Sequence, residues 1–135
     1  MRVVALFSLV VAVAASAQPT PVASVEGYWK NPIGSAIIQI GPCANTLCGK
    51  VVWASARGQR EVAQNTSNVV GMTVLTGIKY THGHWSGSLY IPDDNIHVSA
   101  KLQILPDRKM KLTGCGLMGL ICRTQIWTRV DGPPS

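Results

Sequence analysis

The sequence predicts an all-β fold: a small closed antiparallel up-and-down barrel of about eight strands. Apolar and polar residues alternate along most of the chain, whereas the 3.6-residue period of an amphipathic helix is nearly absent. Short segments rich in Gly, Pro, Asn and Asp separate the alternating runs, as expected of hairpin turns. A meander of short strands loses its exposed edges most simply when it closes into a barrel.

The N-terminus is typical of a cleaved signal peptide and lies outside the predicted fold. Met1-Arg2 gives a positive start, Val3 to Val13 is apolar, and Ala15-Ser16-Ala17 is a small-residue cleavage site. The apolar run is too short for a transmembrane helix, which needs about 20 residues. We therefore expect cleavage after Ala17, a flexible lead over residues 18–24, and a periplasmic or secreted protein with no membrane span.

The first half of the domain contains three predicted strands and a long loop. Glu26–Asn31 is the first strand, and it ends in a turn at Asn31-Pro32-Ile33-Gly34. Ser35–Gly41 and Gly49–Ala54 are the next two strands. Their apolar faces contain Ala36, Ile38, Ile40, Val51 and Trp53. Ser55–Asn68 is polar and lacks alternation, so we predict a loop with one helical turn.

The second half is predicted to contain five strands. Glycines interrupt the first of them and indicate close backbone approaches. Proline and aspartate residues open two of the turns between the others. The segments are Val69–Ile78, His84–Ile91, Ile96–Leu105, Lys109–Gly114 and Ile121–Val130. The barrel domain is therefore expected over residues 25–131, followed by a tail at 132–135.

All four cysteines bracket two of the predicted turns. Cysteines in an exported chain indicate disulfides formed in an oxidising compartment. Four cysteines allow three pairings, and we favour Cys43–Cys48 and Cys115–Cys122 because each pair faces across its own hairpin. Loops this short stabilise by about 2–2.5 kcal/mol each in the chain-entropy model, and long-range pairings would constrain the unfolded chain more. Zinc is disfavoured because the spacings differ from the Cys-x2-Cys kind.

Size and charge restrict the function classes. Removing 17 of the 135 residues leaves 118, enough for one domain with one core. The formal net charge is +6 at pH 7, and the basic residues are scattered except for Arg108, Lys109 and Lys111. Nucleic-acid binding would require a denser basic stripe with exposed aromatic residues, so we predict no nucleic-acid partner.

No pattern of catalytic residues is visible. No serine lies in a Gly-x-Ser-x-Gly motif, and the carboxylates of Asp93-Asp94 are adjacent in a turn rather than convergent. His82-Gly83-His84 invites a metal interpretation, with His97 or Asp93 as a further ligand, but no third ligand has a fixed spacing. We predict a protein without catalytic residues, metal or cofactor; a hydrolase is the less favoured alternative.

Several short motifs carry a resemblance to a known family. They are Gly27-Tyr28-Trp29, Cys43–Trp53, Val70–Gly77, Trp85-Ser86-Gly87, Gly114-Cys115 and Leu120–Arg129. In this order they resemble a family of small exported bacterial proteins named only as domain of unknown function 2147. The resemblance implies a lipocalin-like β-barrel and no established activity. The chain departs from the family pattern at Ser55–Ser67 and at Pro92–His97.

The resemblance also implies a closure for one end of the barrel. In lipocalin-like barrels a tryptophan near the start of the first strand closes the floor, and a basic side chain from the last strand lies across its ring. Trp29 and Arg129 occupy these positions and are expected to be in contact. A guanidinium stacked on an indole contributes about 0.5–2 kcal/mol.

The favoured function is binding of a small apolar or amphipathic ligand. A barrel of about eight strands is wide enough to hold one small ligand or to be filled by its own side chains. The candidate lining residues are Trp53, Met72, Trp85, Tyr90 and Ile104. The alternative is a protein-interaction module with a dry interior, such as a periplasmic protease inhibitor or an envelope structural factor, that reaches its partner through residues 18–25 or Ser55–Asn68.

Overall fold

A computed structural model of the protein describes residues 3–14 and 22–134. Eight strands form one closed antiparallel barrel in which each strand pairs with its neighbour in the chain and the last strand pairs with the first. The strands are β1 (Gly27–Lys30), β2 (Ala36–Cys43), β3 (Thr46–Ala54), β4 (Thr73–Thr81), β5 (His84–Ile91), β6 (Ile96–Leu105), β7 (Lys109–Gly116) and β8 (Ile121–Val130). The predicted fold class is thus confirmed.

The N-terminal segment is only partly described. Residues 3–14 form no regular secondary structure and are exposed. The predicted cleavage site at Ala15-Ser16-Ala17 lies outside the described residues, so the signal peptide stays a prediction. Among the residues that the structure describes, no helix has the length and apolar character needed to cross a membrane.

One short helix, α1 (Ala56–Val62), lies between β3 and β4. It begins at Ser55, whose hydroxyl accepts a hydrogen bond from the Gly58 backbone N–H at 3.0 Å. Gly58 is buried, and a Cβ atom at this position would lie 2.6 Å from the Ser35 carbonyl oxygen. The helix therefore packs closely against the turn between β1 and β2. The polar Ser55–Asn68 segment is more helical than predicted because this cap and contact fix its first turn.

Both disulfides close the hairpins that contain them. Cys43 is bonded to Cys48 and Cys115 to Cys122, with Cα–Cα distances of 5.5 Å and 4.1 Å. The pairing favoured by the hairpin argument is therefore the one in the structure. Cys43 pairs with Thr46 across a tight turn, so the sheet extends further into this bracket than the sequence predicts.

The inward-facing side chains of most strands form the core of the barrel. Along β6, for example, Ala100 and Leu102 are buried whereas Lys101 and Gln103 are exposed. The buried cluster consists of Val25, Trp29, Ile38, Ile40, Val51, Ala54, Val69, Val74, Leu75, Ile78, Ala100, Leu102, Met110 and Leu112. The period of two in the sequence thus places the core correctly.

The two ends of the barrel are formed by different loops. At the first end, which we call the closed end, β1 begins and β8 ends, and three tight turns join β2 to β3, β4 to β5 and β6 to β7. At the opposite, open end lie the turns 31–35, 92–95 and 117–120 and the longer connection 55–72, which contains α1.

Candidate functional site

The floor of the closed end is built around Trp29. This residue is fully buried, and its indole Nε1 donates a hydrogen bond to the carbonyl oxygen of Val25 at 2.9 Å. The central guanidinium carbon of Arg129 lies 4.2 Å from the centroid of the Trp29 ring. At this distance the cation interacts with the face of the indole.

The chain before β1 crosses the closed end and is fastened to it. Arg129 donates hydrogen bonds to the carbonyl oxygens of Glu26 at 2.7 Å and Ser24 at 3.2 Å. The indole of Trp85 donates to the carbonyl oxygen of Ala23 at 3.1 Å. Residues 22–24 are the described part of the predicted flexible lead, and two of them are held against the barrel. Their contacts seal this end of the interior.

At the open end, β1 is too short to cover β8. It has four residues and pairs with β8 only through Tyr28, Trp29 and Lys30. It ends where the Asn31 side-chain oxygen accepts from the backbone N–H of Ser35 at 2.8 Å, in a turn that contains Pro32. In the described part of the chain, β8 from residue 121 to residue 127 therefore has no strand on this edge.

The exposure of β8 reflects this missing cover. Every residue from Ile121 to Ile126 is exposed, whichever face of the strand it occupies. In the packed part of the barrel the two faces of a strand differ, as in β2, where Ile38 and Ile40 are buried and Gln39 between them is not. The interior of the barrel is thus accessible to solvent along the first half of β8.

Register identifies which β8 residues face the interior. Trp127 lies opposite the fully buried Met110 and packs against the core, and Arg129 lies opposite Trp29. Because side chains alternate along a strand, Gln125, Arg123 and Ile121 share this face. On the other face, the Thr124 hydroxyl hydrogen-bonds that of Thr113 at 3.1 Å, and Cys122 bonds to Cys115.

The neighbouring strands continue this accessible inner surface. Leu89 and Val98 face each other on β5 and β6 and are half-buried. Val98 leans over β7, where a Cβ atom on Gly114 would lie 3.2 Å from its methyl group. Gly114 in turn pairs with Arg123. We call the surface formed by Leu89, Val98, Ile121, Arg123, Gln125 and Trp127 the open trough.

Three of the five predicted lining residues pack against the core. Met72, Trp85 and Ile104 are half-buried and contact the buried cluster. Trp85 also has its indole N–H engaged at the closed end. Trp85 and Ile104 lie toward the closed end on β5 and β6, away from the open trough, whereas Met72 lies in the connection 55–72 at the open end.

The other two predicted lining residues, Tyr90 and Trp53, do not pack against the core cluster. Tyr90 alternates with the inward Leu89, donates its hydroxyl to Asn95 at 2.8 Å, and has its ring 4.7 Å from that of His97. Trp53 lies opposite Ile37, whose side chain is buried but does not belong to the core cluster. A register shift between β2 and β3 at this point turns Trp53 away from the side that Val51 occupies.

An open cleft of about 730 Å³ lies near the closed end. Trp85 and Ile104 contribute to its lining, but so do Lys101 and Lys111, which alternate with core residues and face outward. The cleft thus follows the outer rim of β5, β6 and β7. Because charged and polar outward residues make up much of its lining, we do not take it as the candidate site for an apolar ligand.

The histidines do not form a metal centre. His82 and His84 are exposed at the turn between β4 and β5, and His97 lies beside Tyr90. Within residues 3–14 and 22–134, no three His, Cys, Asp or Glu side chains come together as a set of metal ligands.

Exposed apolar residues are concentrated at the open end. The disulfide-closed tip between β7 and β8 exposes Leu117, Met118, Leu120 and Ile121. Leu117 and Met118 have φ values of 49° and 57°, in the left-handed region that apolar side chains rarely adopt. Ile33, Val70 and Ile96 are also exposed on loops of this end or beside them. The entrance to the open trough is therefore surrounded by apolar surface.

Comparisons with known proteins agree with this architecture. A model of the family described as "Uncharacterized protein conserved in bacteria (DUF2147)" matches residues 27–129. The fold is similar to that of protein HP1028 from the human pathogen Helicobacter pylori, which is described as belonging to the lipocalin family. The TM-score is 0.59 at 12% sequence identity, over 81% of this chain and 84% of that one. No curated protein sequence matches the chain.

Proposed function

The chain belongs to the uncharacterised bacterial family DUF2147, and from this premise we propose that it binds one small apolar or amphipathic ligand in the open trough. The lipocalin-like barrel suggests a role in small-ligand binding. The protein would act by holding and releasing its ligand, without catalysis. We also propose that it works in the periplasm or outside the cell, in keeping with its predicted signal peptide and its two disulfides.

The exposure of β8 carries this proposal. Its inward residues from Ile121 to Gln125 are exposed although they belong to the inner surface of a barrel. Ligand sites are concave, mostly apolar surfaces with a few polar groups, and the open trough has this composition. A ligand seated there would cover Leu89, Val98 and Ile121, which the protein itself leaves partly uncovered.

A pair of glycine substitutions tests the proposal. Gly116 faces the trough opposite Ile121 in extended backbone, so Gly116→Phe would place a ring inside it. Gly41 lies on the outer face of β2 with open space around it, so Gly41→Phe adds the same ring elsewhere. We expect Gly116→Phe to weaken binding of the apolar fluorescent probe anilinonaphthalene sulfonate by about tenfold or more, since 1.4 kcal/mol of lost contact is tenfold in affinity.

The proposal also requires that the native protein contain a bound ligand. Extraction and mass spectrometry of protein isolated from its own compartment should find an apolar or amphipathic small molecule that the Gly116→Phe variant lacks. Equal probe binding by the wild type, Gly116→Phe and Gly41→Phe, with nothing extracted from the wild type, would contradict a ligand site in the trough.

A further inference from the structure

Arg123 is a charged side chain on an otherwise apolar stretch of the trough. Its neighbours across the sheet are small, because Gly114, Ala100 and Gly87 follow it in register on β7, β6 and β5. No large side chain of this row separates Arg123 from the apolar residues that lean over Gly114. These are Val98 and Leu89, whose methyl groups lie 3.2 Å and 3.6 Å from where a Cβ of Gly114 would be.

Among the residues that the structure describes, no carboxylate pairs with the guanidinium of Arg123. The ion pairs of the described residues are Arg57 with Glu61 and Arg108 with Asp131. The acidic residues are Glu26, Glu61, Asp93, Asp94, Asp107 and Asp131, and no strand contains any of them. The inner surface of the barrel therefore presents a cation without an anion. Arg123 is exposed and solvated by water, and an anionic ligand seated on the trough would replace that water with a charge-assisted hydrogen bond.

Gln125 adds a second donor on the same face. Its side-chain oxygen Oε1 accepts a hydrogen bond from the indole Nε1 of Trp127 at 3.0 Å. An indole N–H can only donate, so the amide atom that it meets is the oxygen and the amide NH₂ group is left for another acceptor. Trp127 thus orients Gln125 so that its donor is available two residues from Arg123. Both groups offer N–H donors, and neither offers a carboxylate.

We propose that Arg123 and Gln125 bind the carboxylate head of a singly charged amphiphile, whose hydrocarbon chain lies on Leu89, Val98 and Ile121. This inference rests on the proposed function and specifies its ligand class. One guanidinium balances one negative charge, whereas a phosphate monoester would bring a second charge that no residue of the trough neutralises. The planar fork of arginine also matches the two oxygens of a carboxylate.

Calorimetric titration of the protein without residues 1–17 tests this subsite, with three twelve-carbon compounds as probes. Dodecanoate, dodecanol and dodecyl phosphate share a hydrocarbon chain and differ in the head. At pH 8 the two charged compounds are titrated below their micelle concentrations, and dodecanol below its solubility limit. We expect dodecanoate to bind most tightly. Arg123→Gln should weaken dodecanoate by about ten- to a hundredfold, the value of hydrogen bonds to a charged group. It should leave the affinity for dodecanol unchanged.

Two further variants separate this effect from general loss of charge or fold. Lys101→Gln removes an outward-facing cation from β6 and should leave all three affinities unchanged. Gln125→Leu should weaken dodecanoate less than Arg123→Gln does, because it removes a neutral donor. Unfolding in urea shows whether each variant is folded.

The outcomes distinguish the subsite from the proposed function. If dodecanoate and dodecanol bind equally well, and Arg123→Gln changes neither, the trough binds ligands but the head-group subsite is wrong. If dodecyl phosphate binds more tightly than dodecanoate, the choice of a single charge is wrong. If none of the three compounds binds, the ligand-binding function itself fails.

Discussion

Arg129 and Arg123 occupy the same inward face of β8 in opposite surroundings. The Arg129 guanidinium lies over Trp29 and donates to two backbone carbonyl oxygens at the closed end. The Arg123 side chain is exposed, forms no ion pair within the described chain, and faces the open trough. One arginine is thus part of the structural closure of the barrel, whereas the other is free to meet a ligand.

The length of β1 is the physical origin of this contrast. Where β1 pairs with β8, the inward residues of β8 meet a packed floor. Where β1 has ended at Asn31, the same face of β8 is exposed to solvent. A barrel with one short strand can therefore be stable at one end and accessible at the other. Substitutions of matched residues at the two ends should therefore have different effects. Those in the packed half should lower the free energy of unfolding, and those in the open trough should affect ligand binding.

The largest expected difference concerns two isoleucines. Ile40→Ala removes a buried side chain from the packed half and should lower the free energy of unfolding by about 2–5 kcal/mol, because it leaves a cavity. Ile121→Ala in the open trough should change it by less than about 0.5 kcal/mol. Urea denaturation followed by tryptophan fluorescence measures both. Similar losses for the two variants would mean that the trough is packed like the rest of the interior.

The two arginines provide the second test. Arg129→Gln loses two hydrogen bonds from a charged donor and the contact with the Trp29 ring, so the free energy of unfolding should fall by about 1.5–3 kcal/mol. Arg123→Gln should leave it unchanged within about 0.5 kcal/mol. The measurement is the urea midpoint of each variant. A stability cost at Arg123 equal to that at Arg129 would show that it is a structural residue.

The smallest expected effect concerns the helix beside the open end. Alanine is ordinarily a better helix residue than glycine, but Gly58→Ala would bring a Cβ atom to 2.6 Å from the Ser35 carbonyl oxygen. We expect the clash to prevail and the free energy of unfolding to fall by about 1–3 kcal/mol. Gly41→Ala, which meets no neighbouring atom within 4 Å, is the control and should be neutral or slightly stabilising. A more stable Gly58→Ala variant would show that α1 is loosely attached.

The strand pattern was largely predictable because alternation is a local property of the chain. Ile96–Leu105 and Ile121–Val130 were predicted with the bounds that the structure has. The start of β4 was misplaced because Val69 and Val70 are apolar but precede the strand, and Val69 belongs to the buried cluster as part of the connection.

The positions of Tyr90 and Trp53 outside the core cluster have two different causes. Tyr90 and Trp85 are separated by an odd number of positions on one regular strand, so they point to opposite faces; the sequence already contained this information. Trp53 could not be placed in this way. The register shift between β2 and β3 that turns it outward depends on how two strands pair, which a single strand does not reveal.

The amino-acid sequence was sufficient for the strand order and the alternation of faces along each regular strand, since these follow from the chain's own period and its turn residues, and it favoured the two cysteine pairs that the structure has. It even placed Ile121, Arg123, Gln125 and Trp127 on one face of β8. It could not show that this face is exposed. Exposure depends on whether β1 extends beside β8, and these strands lie at opposite ends of the chain. Only the closed barrel, in which a short first strand meets a long last one, creates the open trough.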